Sequence, residues 1–151
     1  MLRTRGVESA IVDLLGDVRT VGRRGDRKPW VIGVQDPRDR SRFRFTIRAQ
    51  ADCGIATSGD YERCFEVDGI RYHHILDATT GHPARGIASA TVVAPTAFEA
   101  GRLATAAFLL GLVSGMRLLE SSASVEGALI TEAGDLLATS GLARFSTVSG
   151  S

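Results

Sequence analysis

At 151 residues the chain is long enough for one domain with its own hydrophobic core. Hydrophobic residues make up 44% and charged residues 23%, an ordinary globular balance. A net charge of +1 gives no basis for a nucleic-acid partner or a charged membrane, so neither is expected. The arginines near the start (Arg3, Arg5, Arg19, Arg23, Arg24, Arg27) are interrupted by acids and apolar residues and read as a solvated face. Cys53 and Cys64 form no C-x-x-C pair and read as small hydrophobes, a disulfide being unsupported. Met1 to Arg5 leads to no apolar leader, and no apolar run reads as long enough to span a membrane. The chain as it stands is therefore expected to be cytoplasmic.

Gly6 stops the basic start. Ala10 to Leu15 is an apolar run broken by Asp13, Gly16-Asp17 turns it, and Val18 to Val21 continues as a strand, which together read as a hairpin. Arg23 to Pro29 is a charged turn. Trp30 to Gln35 is a strong strand ended by Asp36-Pro37, its tryptophan read as packing. Arg38 to Arg42 is a polar loop, and Phe43 to Ile47 alternates with period two, so one face is buried. Cys53 to Ala56 leads into Thr57-Ser58-Gly59-Asp60, small hydroxyls and a glycine that serve equally as a turn or as donors to a phosphate. Phe65 to Tyr72 reads as a hairpin around an Asp68-Gly69 type I′ turn.

All three histidines fall in the stretch Tyr72-His73-His74-Ile75-Leu76-Asp77-Ala78-Thr79-Thr80-Gly81-His82-Pro83. His74 and Asp77 stand where a strand gives way to a loop. They form either a base and its orienter, part of a metal site, or a plain Asx turn with exposed imidazoles. No His-x-x-x-His spacing is present, which argues against a zinc helix. Ser89 to Ala94 is β-rich and closed by Pro95. Ala97 to Gly111 is the clearest helix, with Thr96 as N-cap and Glu99 as its capping-box partner. Phe98, Leu103, Ala107, Phe108 and Leu110 predict a broadly buried surface for it. A second short helix is expected over Ser114 to Glu120, then strands Gly127 to Thr131 and Leu136 to Thr139. The polar tail from Ser146 to Ser151 is expected to fray.

Three ordered segments carry a resemblance. His74-Ile75-Leu76-Asp77, followed by Thr80-Gly81 and Pro83, resembles the H-I-I-D-P-x-T-G-x-P signature of the FAD:protein FMN transferases, the ApbE family. Thr57 to Arg63 resembles the family's T-S-G-D-Y-E-R, and Glu99 to Ala106 resembles its E-A-D-x-L-A-T-A. The resemblance runs from about Gly6 to Gly141 and covers the C-terminal half of a usual member. It places Met1 inside a longer helix, so the chain is expected to begin partway through that fold.

The resemblance implies a reaction. Family members break the pyrophosphate of FAD and place FMN on a serine or threonine of an acceptor flavoprotein, releasing AMP. Such a reaction needs a base, a divalent cation on the pyrophosphate and donors that align the phosphate. By resemblance, His74 is the base and Asp77 orients it or helps hold Mg2+. Thr80 and Gly81 approach the flavin nucleotide, Ile75 packs on bound FAD, and Thr57, Ser58 and Gly59 belong to the cofactor side. Thr105 matches a metal-binding threonine. Two positions depart from the pattern. Gly101 stands where the family's metal-binding aspartate falls, so the Mg2+ site is expected to be weakened. Leu15 replaces one glycine of a glycine pair, which puts that turn's close backbone approach in doubt.

The expected fold is α+β, an antiparallel-rich mixed sheet packed against one long buried helix, with a single ApbE-like domain over 1–145. Two functions stay open: an FMN transferase impaired in this chain, or a non-catalytic flavin-binding remnant or interaction module completed by another chain. Either way an exposed apolar patch is expected, through which the chain can associate.

Overall fold

The computed structural model describes residues 2–148. β1 (Ala10–Leu14) and β2 (Asp17–Val21) form a first hairpin, and β3 (Trp30–Gln35) and β4 (Phe43–Ala49) a second. β5 (Cys53–Gly59) is followed by a third hairpin, β6 (Cys64–Val67) with β7 (Ile70–His73). β8 (Ile87–Ala94) leads into α1 (Ala97–Ser121), and β9 (Glu126–Thr131), β10 (Leu136–Ala138) and β11 (Ser146–Val148) complete the described chain. The main sheet runs β1-β2-β5-β8-β9-β10, a smaller one runs β11-β4-β3, and β6-β7 stands by itself. Among the described residues every strand pairing is antiparallel. This is the expected α+β class, with a large antiparallel sheet and one helix.

β8 is buried at every position. That pattern belongs to a strand covered on both faces. Its pleat sends Ala90, Val92 and Ala94 into a cluster with Leu103, Ala104, Ala107 and Phe108 of α1. Val93 goes the other way, to Val34, Phe45 and Ile47 of the smaller sheet. The layers are therefore helix, main sheet, small sheet. Each large side chain buried in them, Phe108 or Ile47 for example, contributes about 1.5–3 kcal/mol.

Thr96 caps α1 as expected, its hydroxyl accepting the Glu99 N–H at 3.1 Å. The start of the helix is pressed onto β5: a Cβ on Gly54 would lie 2.2 Å from Ala97 N. Gly111 (φ 74, ψ −177) breaks the helix into two arms that correspond to the two expected helices. The second arm turns back so far that a Cβ on Gly115 would lie 2.5 Å from the Ala107 carbonyl oxygen. The buried stripe is Ala100, Leu103, Ala104, Ala107 and Phe108. Phe98 and Leu110 fall off that spacing and are 82% and 53% exposed, so only one face is buried, not the broad surface expected. One further expectation is corrected: the 25 residues of α1 are long and apolar enough to cross a membrane. In this fold their apolar stripe packs on β5 and β8 as a core helix.

The β6–β7 turn is type I′ as expected, with φ 50 at Asp68 and 74 at Gly69. The β1–β2 turn takes the same left-handed shape, φ 56 at Leu15 and 94 at Gly16, despite the leucine. Asp13 Oδ1 holds it by accepting the Gly16 N–H at 2.9 Å. The tail also differs from expectation, because Ser146–Val148 pair with β4. Residues 149–151 lie outside the described residues.

Arg38 lies in the loop expected to be merely polar, yet its guanidinium grips Asp60 in two bonds of 2.6 and 2.8 Å. Arg71 of β7 approaches the same carboxylate at 3.6 Å. Asp60, at the end of β5, is only 4% exposed in its side chain. This cluster ties the β3–β4 loop and the β6–β7 hairpin to the main sheet. Arg38→Ala should destabilise the fold by about 2–3 kcal/mol in urea titration, below the ~3–5 of fully buried pairs because Arg71 remains. Leu15 is 98% exposed, so Leu15→Gly should relieve its left-handed strain and stabilise by about 1 kcal/mol, read as a raised denaturation midpoint.

Candidate functional site

A cleft of about 580 Å³ opens between the β1–β2 hairpin, β5 and the first arm of α1. Strand parity decides what faces it. On β5, Ile55 belongs to the small-sheet side and Ala56 to the helix side, so Ser58 follows Ala56 toward α1. Ser58 Oγ and Thr105 Oγ1 lie 2.9 Å apart in a hydrogen bond across the cleft floor. Asp17 contributes a carboxylate from β2, and Arg19 and Arg102 line the same cleft. The Asp17 carboxyl titrates above its ordinary range, first because burial disfavours its charge and then because Asp13 is near. Val12, Leu14 and Phe98 give the cleft an exposed apolar rim, as expected for the patch.

Two neighbours of Ser58 are placed elsewhere. Thr57 points to the opposite face of the sheet, where its hydroxyl bonds Thr91 at 2.9 Å. Gly59 is covered by the Tyr61 ring, which a Cβ there would meet at 2.4 Å.

The histidine stretch forms a closed loop beyond β7. Leu76 bridges Pro83, and the Ala84 N–H donates to the Ile75 carbonyl at 3.0 Å. The Asp77 carbonyl accepts from the N–H of Gly81 at 2.8 Å, while the Asp77 N–H donates to the His82 carbonyl at 2.9 Å. Gly81 takes φ 71, the left-handed shape this turn requires. The Thr80 hydroxyl accepts the His82 N–H at 3.2 Å. Asp77 Oδ1 accepts from the Thr79 N–H at 2.8 Å and the Thr79 hydroxyl at 2.7 Å. Those bonds hold the Asp77 carboxyl below its ordinary range. Asp77 is thus engaged within its own turn, the Asx geometry, and among the described residues it makes no hydrogen bond to His74. The reason is local: a hydroxyl and an N–H two residues on are always within its reach.

Parity also separates the histidines. His73 and Ile75 face inward and are buried, whereas His74 faces solvent. His73 Nδ1 accepts the Ile75 N–H at 3.3 Å, which leaves Nε2 as the protonated nitrogen donating to the Ala84 carbonyl at 3.0 Å. Its ring meets Phe108 edge-on at 5.7 Å. From the sequence His73 has no assigned role, although its i, i+2 spacing to Ile75 signals that the two share a face. Ile75 itself is buried among core side chains. Phe108 is one helical turn from Thr105, so loop and cleft are mounted on the same stretch of α1.

Among the described residues no group of three or more His, Cys, Asp and Glu side chains is arranged around a common metal position. The cleft does offer a carboxylate and two hydroxyls, hard oxygen donors of the kind magnesium uses with one or two carboxylates and substrate phosphates. The donor set therefore fits that ion.

The fold resembles solved flavin transferases. It superposes on the ApbE protein of Thermotoga maritima with a TM-score of 0.83 at 38% identity, covering 91% of this chain and 44% of that one. The flavin transferase ApbE of Vibrio cholerae matches at 0.80 and 33% identity, covering 95% and 46%. A FAD:protein FMN transferase of Treponema pallidum is 37% identical over 139 residues, 86% of this chain and 38% of that protein. That of Vibrio cholerae is 38% identical over 122 residues, 80% of this chain and 36% of that protein. The architecture is thus that of the flavin-transferase class. The family model for the ApbE family matches residues 1–130, and the chain belongs to that family. It spans less than half the length of these relatives.

Above the ordinary carboxylate range, ionised Asp77 contributes order to its loop, and that contribution is lost as pH falls through its lowered folded value. Thr79→Val removes one donor. In carboxyl-detected NMR the Asp77 titration should move up toward the ordinary range, and the loop should loosen at a correspondingly higher pH.

Proposed function

We propose that this chain carries the diphosphate-facing part of an FAD:protein FMN transferase, moving FMN from FAD to a Thr or Ser hydroxyl of an acceptor flavoprotein. The observation that carries this reading is the shared mounting on α1. The Ser58–Thr105 bond and the His73–Phe108 contact fasten the oxygen-lined cleft and the histidine loop within one turn of helix. The names of the 32–38% identical relatives support the same chemistry.

In this reading the acceptor oxygen attacks the phosphorus on the FMN side of the pyrophosphate. A new O–P bond forms, the bridging P–O bond breaks, and AMP leaves with the bridging oxygen. Solvent-facing His74 takes the proton from the attacking hydroxyl, a task suited to an imidazole, whose neutral ring offers a nitrogen lone pair. Asp77, with Thr79, fixes the loop that presents His74. Thr80 and Gly81 lie at the tip of that loop and face the nucleotide, and Ile75 anchors the loop from beneath. Ser58 and Thr105 hold the diphosphate side, and Gly59 lies beneath the Tyr61 ring at the end of the same strand. Thr57 supports the strand from the opposite face. Magnesium, when bound with Thr105 among its ligands, would supply charge neutralisation at the pyrophosphate.

A second reading has its own support. Gly101 leaves the cleft-facing side of α1 without a carboxylate, and Val12, Leu14 and Phe98 leave the rim open to water. Under it the chain is a flavin-binding remnant or a module completed by another chain through that apolar rim. Incubated with FAD, magnesium and a threonine-bearing acceptor, the chain alone should retain FAD but give little covalent flavin on the acceptor. Robust in-gel flavin fluorescence would instead establish a competent transferase, and it should then fall about 10²–10⁴-fold in His74→Ala. Failure to retain FAD at all would sink both readings.

A further inference from the structure

Gly101 and Thr105 are four residues apart on α1 and share a face. A side chain on Gly101 would begin 3.6 Å from Asp17 Oδ2 and 3.8 Å from Oδ1, ordinary contact distances. The space beside Gly101 is therefore the space in front of the Asp17 carboxylate. Strand parity accounts for this. Val18 faces the small sheet, so Asp17 and Arg19 face the helix, on the side that Ala56 and Ser58 also face. Ala56 Cβ lies 3.9 Å from the same point above Gly101.

The neighbouring charges leave Asp17 unclaimed. Arg19 is turned away, to the Pro95 carbonyl and to Asp52 at 3.8 Å. Arg102 lines the cleft from the exposed side of α1. Among the described residues no hydrogen bond or ion pair engages the Asp17 carboxylate. The two hydroxyls opposite it, Ser58 and Thr105, bond each other and still have lone pairs to offer.

We infer that Asp17 is this chain's cation-binding carboxylate, and that with Thr105 and Ser58 it forms an oxygen site for a divalent cation bearing a diphosphate. The carboxylate for the cation then comes from the first residue of β2 and not from the helix, with the space beside Gly101 left open in front of it. This inference rests on the proposed reading of the cleft as a diphosphate site. It also changes the meaning of Gly101, from loss of the metal face to the complement of Asp17.

The test is Mn2+ binding by the full chain, followed by the electron paramagnetic resonance of free Mn2+, with and without inorganic pyrophosphate. The unmodified chain should bind Mn2+, and pyrophosphate should tighten it. Asp17→Asn should weaken binding by roughly tenfold or more, since it removes the only carboxylate ligand. Gly101→Leu, which fills the space in front of the Asp17 carboxylate while leaving residue 17 itself unchanged, should weaken it comparably, whereas Gly101→Ala should not. Circular dichroism should be unchanged in all three. Unaltered Mn2+ affinity in Asp17→Asn would overturn the assignment, and so would an absence of Mn2+ binding in the unmodified chain. FAD retention, measured separately by fluorescence, tells the two failures apart. A chain that holds FAD while ignoring Asp17 keeps the functional reading and loses this inference, and one that holds neither loses both.

Discussion

The seat of α1 on β5 governs the rest of the molecule. Gly54 has no side chain because the backbone of Thr96 and Ala97 occupies the place where its Cβ would go. Two residues on comes Ala56, and two further comes Ser58, all on the face turned to the helix. A strand face of such small residues lets helix and sheet approach closely, and close approach brings the Thr105 hydroxyl to within 2.9 Å of Ser58. A larger side chain at 54 would lift the start of α1 and open the cleft floor. Packing and chemistry are here one constraint, since the small residues that admit the helix also create the polar floor.

The same helix reaches the histidine loop through a different kind of contact. His73 spends both ring nitrogens on backbone groups, the Ile75 N–H and the Ala84 carbonyl, on either side of the loop's neck. Its ring edge then meets Phe108. The neck is thus closed by one buried imidazole, which holds the backbone from which the exposed His74 projects. From the other side, the Arg38–Asp60–Arg71 cluster holds the β6–β7 hairpin that delivers the loop. A solvent-facing imidazole is normally mobile; here the backbone that carries it is framed by a core contact on one flank and an ion cluster on the other.

Much of this was legible in the sequence because it rests on local rules. The Asp68-Gly69 turn, the Thr96 cap, the break at Gly111 and most strands follow from turn chemistry and periodicity, and the structure has them. What escaped depends on parity or on distant chain. His73 and His74 were distinguishable only once the strand's inward face was known. Thr57 and Ser58 read as one donor group, but a pleat sends adjacent residues to opposite faces, and only Ser58 reaches α1. Phe98 and Leu110 counted as core because they are apolar, although they fall off the helical stripe. The proximity of Asp17 to Gly101 spans two elements far apart in sequence, and no local pattern encodes it. The pairing of Ser146–Val148 with β4 is likewise a long-range contact.

One wall of a site has a different capacity from an enclosed site. The cleft supplies hydroxyls, a carboxylate and two flanking arginines from β2, β5 and α1, while its rim of Val12, Leu14 and Phe98 faces solvent. Donors on a rigid sheet and helix are enough to orient a diphosphate, because orientation needs only fixed partners. Transfer to a chosen hydroxyl asks for more. Water must be kept from the phosphorus, and electrostatic contacts must act in a medium of low dielectric. An open apolar rim does neither by itself, yet it is the kind of surface whose covering would do both at once. In the proposed reading, binding without transfer is what such an open wall favours on physical grounds, and closure of the rim is the step that would separate a flavin-holding domain from a transferase.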